Sequence, residues 1–396
     1  MTSDRWRLTA RAAVLASGAL VIGLGTACSD DEGPGAQQDA GLADTATADA
    51  GGDAVGADAG GHSDAVVGED AALDTGIGGD AGSDAGSDAG GDAGSDAGPT
   101  GNASVTSIDP IATGGAAFST PLDSTPDPDA KTIYFTAQSD GTPGVFRVAV
   151  AGGAVTPLAV GAPLSAPLGI AVAPSGTLLF VADPAAEEGD VVGRIFTLST
   201  EGGAPATLAG TEGTLARGVD VVPAPGGDLL FFTGTAPGTS EPAVMRMPAA
   251  GGAVTVLAKG GALSDPSGVA ATSSGETVYV TDTSASNGRG AVFAVTEAGV
   301  ESTIVKDIGV GYPAGIALSL DESVLLVSGI DSTTGSDVVY RVELATGAVQ
   351  HLTEGISANV DAGGVHRARN KDTYSWADLS AGSGGAVYLV KTLGSD

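Results

Sequence analysis

The feature that most constrains this chain is a unit recurring at nearly fixed spacing. Gly-(Ile/Val) pairs open similar segments at Gly169, Gly218, Gly268, Gly315 and Gly364, at spacings of 49, 50, 47 and 49 residues. An earlier copy aligns without gaps 46 residues upstream. There Pro121-Leu122-Asp123 to Thr136 matches Pro167-Leu168-Gly169 to Ala182, with Asp123 standing where the other copies have glycine. Six copies result. A repeat of this length means that each copy is one supersecondary unit, stable only against its neighbours.

Each copy holds a short apolar run, a turn, and a strongly apolar run: Leu178–Ala182, Leu229–Thr233, Val278–Thr281 and Val324–Ser328. A variable loop leads to a third run, such as Val145–Val150, Arg194–Leu198, Ala243–Met247, Val292–Val295 or Val338–Leu344, and a Gly-rich turn to a fourth, such as Ala253–Leu257. The runs are β-branched and aromatic, bounded by Gly, Pro, Asp and Ser, and too short for helices. Four antiparallel strands in about 40–50 residues make the blade of a β-propeller. The sequence therefore predicts an all-β, six-bladed β-propeller over residues 101–396. Its last copy ends on a third strand, Ala386–Val390, while Ala103–Thr113 precedes the first copy as a strand without a blade. Pairing the two would sew the ring shut and leave no exposed edge there.

Two short patterns carry a family resemblance. The stretch Pro126-Asp127-Pro128-Asp129-Ala130-Lys131-Thr132-Ile133-Tyr134-Phe135 resembles the TolB-type propeller repeat. The Pro-x-Gly-(Ile/Val)-Ala openings at Pro167, Pro266 and Pro313 resemble NHL repeats and the gluconolactonase (senescence-marker) propellers. The gluconolactonase resemblance implies a metal held by Glu, Asn and Asp on inner strands, with an acidic general base. This sequence does not reproduce that set: its first inner strand offers Asp123 and Asp127 but no Glu, and the next three offer Asp220 alone, with Asp265 just outside the fourth.

Ahead of the repeats the composition changes twice. Arg5, Arg7 and Arg11 precede an uncharged apolar stretch, Ala12 to Ala27, too short to span a bilayer as a helix and suited to a signal peptide. It ends Leu24-Gly25-Thr26-Ala27-Cys28, which resembles the bacterial lipobox. Residues 1–27 are thus expected to be a lipoprotein signal peptide, and Cys28, the one cysteine of the chain, the lipid attachment site. Residues 29–100 hold seventeen acidic residues, no Lys or Arg and no aromatic residue, in near-repeats such as Gly82-Ser83-Asp84-Ala85. Such a segment cannot bury enough apolar surface to offset chain entropy, so 28–100 reads as a lipidated Cys followed by a disordered, charge-swollen tether. The formal net charge of −32 argues against nucleic acid as a partner.

Chemistry is sought around the ring axis. After the second strand, copies two, four and six carry Asp183, Asp282 and Asp378, where the others carry Ala137, Gly234 and Gly329. Three carboxylates on one rim suit a divalent cation such as Ca²⁺; the competing reading is that each caps a turn by accepting backbone N–H groups. The sixth copy departs most: Gly364-Val365-His366-Arg367-Ala368-Arg369, with Trp376 on its next strand. Period-two alternation sets His366 and Ala368 on one side and Arg367 and Arg369 on the other. Basic groups beside an aromatic in an acidic domain suit an anionic or carbohydrate ligand; the competing reading pairs the arginines with acids and puts Trp376 in the core. The expectation is a lipid-anchored protein of the bacterial cell envelope, at the outer membrane or cell surface. It presents a propeller for an envelope protein, glycan or small ligand, without catalysis. The alternative is a metal-dependent hydrolase or lactonase acting at the channel.

Overall fold

The computed structural model describes residues 105–331, 334–352, 362–379 and 384–392. The expected signal peptide, Cys28 and the acidic tether lie outside the described residues. The first strand, β1 (Val105–Thr113), precedes six blades. Blade 1 is β2 (Ser119–Pro126), β3 (Thr132–Ser139), β4 (Thr142–Ala149) and β5 (Thr156–Val160); blade 2 is β6 (Ile170–Val172), β7 (Leu178–Glu188), β8 (Val191–Ser199) and β9 (Ala206–Thr207). Blade 3 is β10 (Val219–Val222), β11 (Leu229–Thr235), β12 (Pro242–Pro248) and β13 (Thr255–Lys259); blade 4 is β14 (Pro266–Ala271), β15 (Val278–Ser286), β16 (Arg289–Thr296) and β17 (Gly299–Ile308). Blade 5 is β18 (Ile316–Leu318), β19 (Val324–Ile330), β20 (Asp337–Glu343) and β21 (Val349–Leu352); blade 6 is β22 (Ala362–Arg367), β23 (Thr373–Asp378) and β24 (Ala386–Thr392).

Every blade is a four-stranded antiparallel sheet, and the fourth strand of blade 6 is β1. It pairs with β24 from Val105↔Thr392 to Thr113↔Ala386, with Ile108 opposite Val390. The two ends of the repeat region are thereby hydrogen-bonded to each other, and blade 6 gains the outer strand that its own sequence lacks. This is the closure that the repeat count demanded.

The second strands are apolar on both faces because both faces are covered. One buried cluster sits between each pair of neighbouring blades: Phe180, Ile195, Phe232 and Met245 between blades 2 and 3, Phe231, Val244, Val280 and Phe293 between blades 3 and 4. At the closing seam Ile133, Phe135 and Phe146 of blade 1 pack on Val387 and Leu389 of blade 6. Phe135 stands between Phe118 and Phe146, at ring-centroid distances of 5.0 and 5.6 Å.

The glycine that opens each inner strand has a steric cause. A Cβ on Gly169 would lie 2.0 Å from the Arg217 carbonyl oxygen, on Gly218 2.1 Å from that of Ser267, and on Gly268 2.1 Å from that of Ala314. In each case the obstacle is the segment leading into the next blade. A hydroxyl on the second strand completes the contact. Thr233 Oγ1 accepts the Gly218 N–H (3.0 Å) and donates to the Ser267 carbonyl (2.6 Å). Thr136 does the same between Asp123 and Leu168, Thr281 between Gly268 and Ala314, and Ser328 between Gly315 and Gly363. Sequence reading found the glycines and missed these hydroxyls, although Thr or Ser ends the apolar run in four of the six copies.

Candidate functional site: the channel mouth

Two residues beyond the glycine position, the inner strands carry Thr125, Ala171, Asp220, Ala270, Ala317 and His366 in ring order, and all six line one cavity on the channel. Alanine at three of the six positions leaves room along the axis. The cavity measures about 510 Å³ with its open mouth included. Its walls are unequal. Blades 4 and 5 supply Val269, Ala271, Ile316 and Leu318, whereas blade 6 supplies Arg367 and Arg369. None of the described residues lining it is Phe, Tyr or Trp.

His366 belongs to β22, and its Nε2–H donates to Asp123 Oδ2 of blade 1 at 3.0 Å. That pair spans the seam between the last blade and the first, 243 residues apart in sequence. Asp123 occupies the one inner-strand position where glycine is replaced. Its carboxylate also accepts the Ile170 N–H of blade 2 at 2.9 Å and its neighbour Ser124 N–H at 2.8 Å. Gly364 makes space for it, since a Cβ there would meet Asp123 Oδ1 at 1.7 Å. Burial pulls the His366 imidazole down, but the charge and hydrogen bond of Asp123, aided by the charge of Asp220, outweigh it and hold the pKa above the ordinary 6.5.

Arg369 crosses the ring. Its Nη2 donates to the Val221 carbonyl of blade 3 and stands 3.7 Å from Asp220 Oδ1. Asp220 in turn accepts the Val221 and Ala271 N–H groups, both at 2.8 Å. Arg367 is committed to the backbone: Nε donates to the Leu318 carbonyl (2.5 Å) and Nη1 to those of Ala368 (2.6 Å) and Arg369 (3.0 Å). Burial, the largest influence, lowers the Arg367 pKa against the opposing charges of Tyr374 and Asp372.

The expected alternation does not hold at this strand. His366, Arg367 and Arg369 all line the same cavity. β22 stops at Arg367, so period two does not extend to Arg369, and the long arginine side chain reaches back over the channel. Trp376 lies elsewhere. It is fully buried in the core between blades 5 and 6, stacked on Tyr388 at 4.9 Å, because β23 is a second strand with both faces covered.

The rim aspartates belong to blades 2, 4 and 6. Asp183 accepts the N–H groups of Ser165 (2.7 Å), Ala166 (3.0 Å) and Ala185 (3.1 Å). Asp282 repeats the pattern with Ser264 (2.8 Å), Asp265 (2.9 Å) and Ser284 (3.1 Å). Asp378, at the end of β23, is also buried. Burial raises the Asp183 pKa against those backbone amides. The contacts of Asp183 and Asp282 are those of turn caps. Among the described residues, no group of three or more His, Cys, Asp or Glu side chains lies within reach of one ion. A second polar group sits in the segments leading into blades 3 and 4, pairing Asp265 with Arg217, which the sequence did not single out. Arg217 donates to Asp265, which also accepts the Thr283 hydroxyl at 2.7 Å.

Fold and cavity together define a six-bladed β-propeller with a polar mouth on its channel. No known family profile matches the chain, and no curated protein matches it. Among solved structures it is similar to the PQQ-bound aldose sugar dehydrogenase from Streptomyces coelicolor, at 16% identity and a TM-score of 0.52, over 72% of this chain and 98% of that one. A gluconolactonase from Xanthomonas campestris aligns at 17% identity and a TM-score of 0.49, over 74% and 96% of the two chains. TolB from Acinetobacter baumannii aligns at 13% and 0.46, over 59% and 54%. At such identities the likeness is one of fold alone.

Proposed function

We propose that this protein is a lipid-anchored protein of the bacterial cell envelope that holds its propeller on an acidic tether and binds a ligand at the channel mouth without turning it over. The observation that carries the binding reading is the gathering of Asp220, His366, Arg367 and Arg369 around a channel lined otherwise by Thr125 and by alanine and aliphatic side chains. A propeller built only to be rigid has no need of charged groups there, since each costs desolvation that apolar residues avoid. The absence of turnover is supported by the occupied state of the carboxylates: Asp123 and Asp220 each accept two backbone N–H groups, as turn and strand braces do. Anchoring is supported by the leader ending at Ala27, directly before Cys28, and by the physical need of a lone exported cysteine for a role.

Two measurements test this reading. Cys28→Ser in the expressing cell should leave an unprocessed precursor that takes up no labelled palmitate; labelling that persists removes the anchor. Purified protein is then melted against a panel of small acids, sugars and divalent cations, with Arg369→Gln alongside. A ligand that raises the midpoint through Arg369 and is recovered unchanged supports the proposal. A ligand recovered hydrolysed, in a reaction that a chelator stops, would establish the hydrolase alternative instead.

A further inference from the structure

Resting on the channel-mouth site proposed above, we propose that the ligand is a small organic monocarboxylate with an apolar body, its carboxylate taken by Arg369 and its body laid against blades 4 and 5. The weakest contact in the cavity is the one such a ligand would replace. Arg369 stands 3.7 Å from Asp220, beyond a normal hydrogen bond, while both Asp220 oxygens already accept backbone N–H groups. Arg369 spends one Nη2 hydrogen on the Val221 carbonyl, and an incoming carboxylate can take the remaining N–H groups of the guanidinium in the two-pronged geometry that arginine favours without leaving Asp220 unsatisfied. Arg367 cannot serve this way, because its Nε and Nη1 are held by carbonyls of blade 5 and of its own turn.

The walls set the rest of the ligand. Ala270, Ala271, Ile316, Ala317 and Leu318 line the same cavity from blades 4 and 5, with Leu318 beside Arg367, so a purely polar anion would leave these apolar side chains unpaired. No described Phe, Tyr or Trp lines the cavity, so the broad ring faces that favour stacking of a sugar or a nucleobase are missing there, and the His366 imidazole is engaged edge-on with Asp123. Residues 101–396 carry thirty acidic and thirteen basic residues, a net charge of −17 that repels polyanions. The groups facing His366 are Asp123 from β2, Asp220 from β10, and Arg367 and Arg369 from its own segment. With His366 protonated these are three cations against two carboxylates, an excess of one positive charge that a monoanion neutralises. With His366 neutral the excess vanishes.

The test is calorimetric titration of the full chain at pH 6 and pH 8.5 with hexanoate, hexanol and hexylamine. N-acetylleucine, a carboxylate attached to an amide as at a peptide C-terminus, is run beside them. Hexanoate or N-acetylleucine should bind at pH 6, roughly tenfold more weakly at pH 8.5, and roughly tenfold more weakly again in Arg369→Gln, as for loss of a charge-assisted contact. Whichever of the two binds more tightly identifies a free acid or a chain terminus as the source. Arg369→Lys, which keeps the charge but not the fork, should fall between the two. Hexanol or hexylamine binding as tightly as hexanoate, or hexanoate binding unmoved by Arg369→Gln, overturns the proposal. A neutral sugar or a cation whose binding depends on Arg369 overturns the carboxylate but leaves the site. If no compound of either panel depends on Arg369, the site falls with it.

Discussion

At the scale of single residues, the first position of each inner strand separates ring-building from channel chemistry. Four copies keep glycine because the next blade's backbone presses against the place a Cβ would take, and Gly364 keeps it to make room for the Asp123 carboxylate; the first copy instead carries Asp123, which turns the same spot into an acceptor for His366. Gly268→Ala should therefore destabilise by about 1–3 kcal/mol through forced backbone shifts, whereas Gly226→Ala, with nothing within 4 Å of its new Cβ, should stay near neutral. Urea unfolding of the two variants checks the contrast. His366 adds a pH dependence whose sign follows from its raised pKa. A group held above its unfolded value gives stability that is complete below that value, 6.5, and is lost as pH rises through the folded one. Melting midpoints of the parent should fall above pH 6.5 relative to His366→Gln; parallel curves would show that the pair with Asp123 does not stabilise the charged form. The glycines were legible in the sequence because a steric requirement met by glycine in five copies leaves a periodic mark. The Asp123–His366 pair was not, because only closure of the ring brings residues 243 apart together.

At the scale of elements, the second strand does two tasks. Its apolar side chains fill the clusters on both sides of the blade, and its terminal hydroxyl ties its own inner strand to the next blade's leading segment. Thr233→Val keeps the shape and removes the hydroxyl, orphaning the buried Gly218 N–H and the Ser267 carbonyl. The expected loss is about 2–3 kcal/mol by denaturant titration; a change below a few tenths would mean that water replaces the hydroxyl. Strand positions were well marked by their apolar runs, but their ends were not. β7 and β8 run on to Glu188 and Val191, well past the predicted Ala182 and Arg194, because a hairpin ladder needs only backbone groups once it leaves the core. Side-chain direction failed at blade 6 for a related reason. Alternation governs a strand only while it is a strand, and Arg369 lies beyond β22. Trp376 was placed correctly only by the competing reading, since composition alone does not distinguish a ligand-stacking indole from one filling the space beside Tyr388.

At the scale of the whole molecule, blade 6 belongs to both ends of the repeat region. Its outer strand comes from before the first repeat, its inner strand carries His366, and the seam it forms with blade 1 is packed by Phe135 and Phe146 against Val387 and Leu389. The channel mouth therefore exists only when the ring is closed, because Asp123 and His366 lie on either side of that seam. The measurement that tests this most directly is deletion of Val105–Thr113 from the full chain, followed by sedimentation and thermal unfolding. The account predicts that the unpaired edge of β24 makes the protein associate and melt at lower temperature, and that the pH dependence assigned to His366 disappears with the seam. A monomer melting at the parent's midpoint with the same pH profile would contradict it.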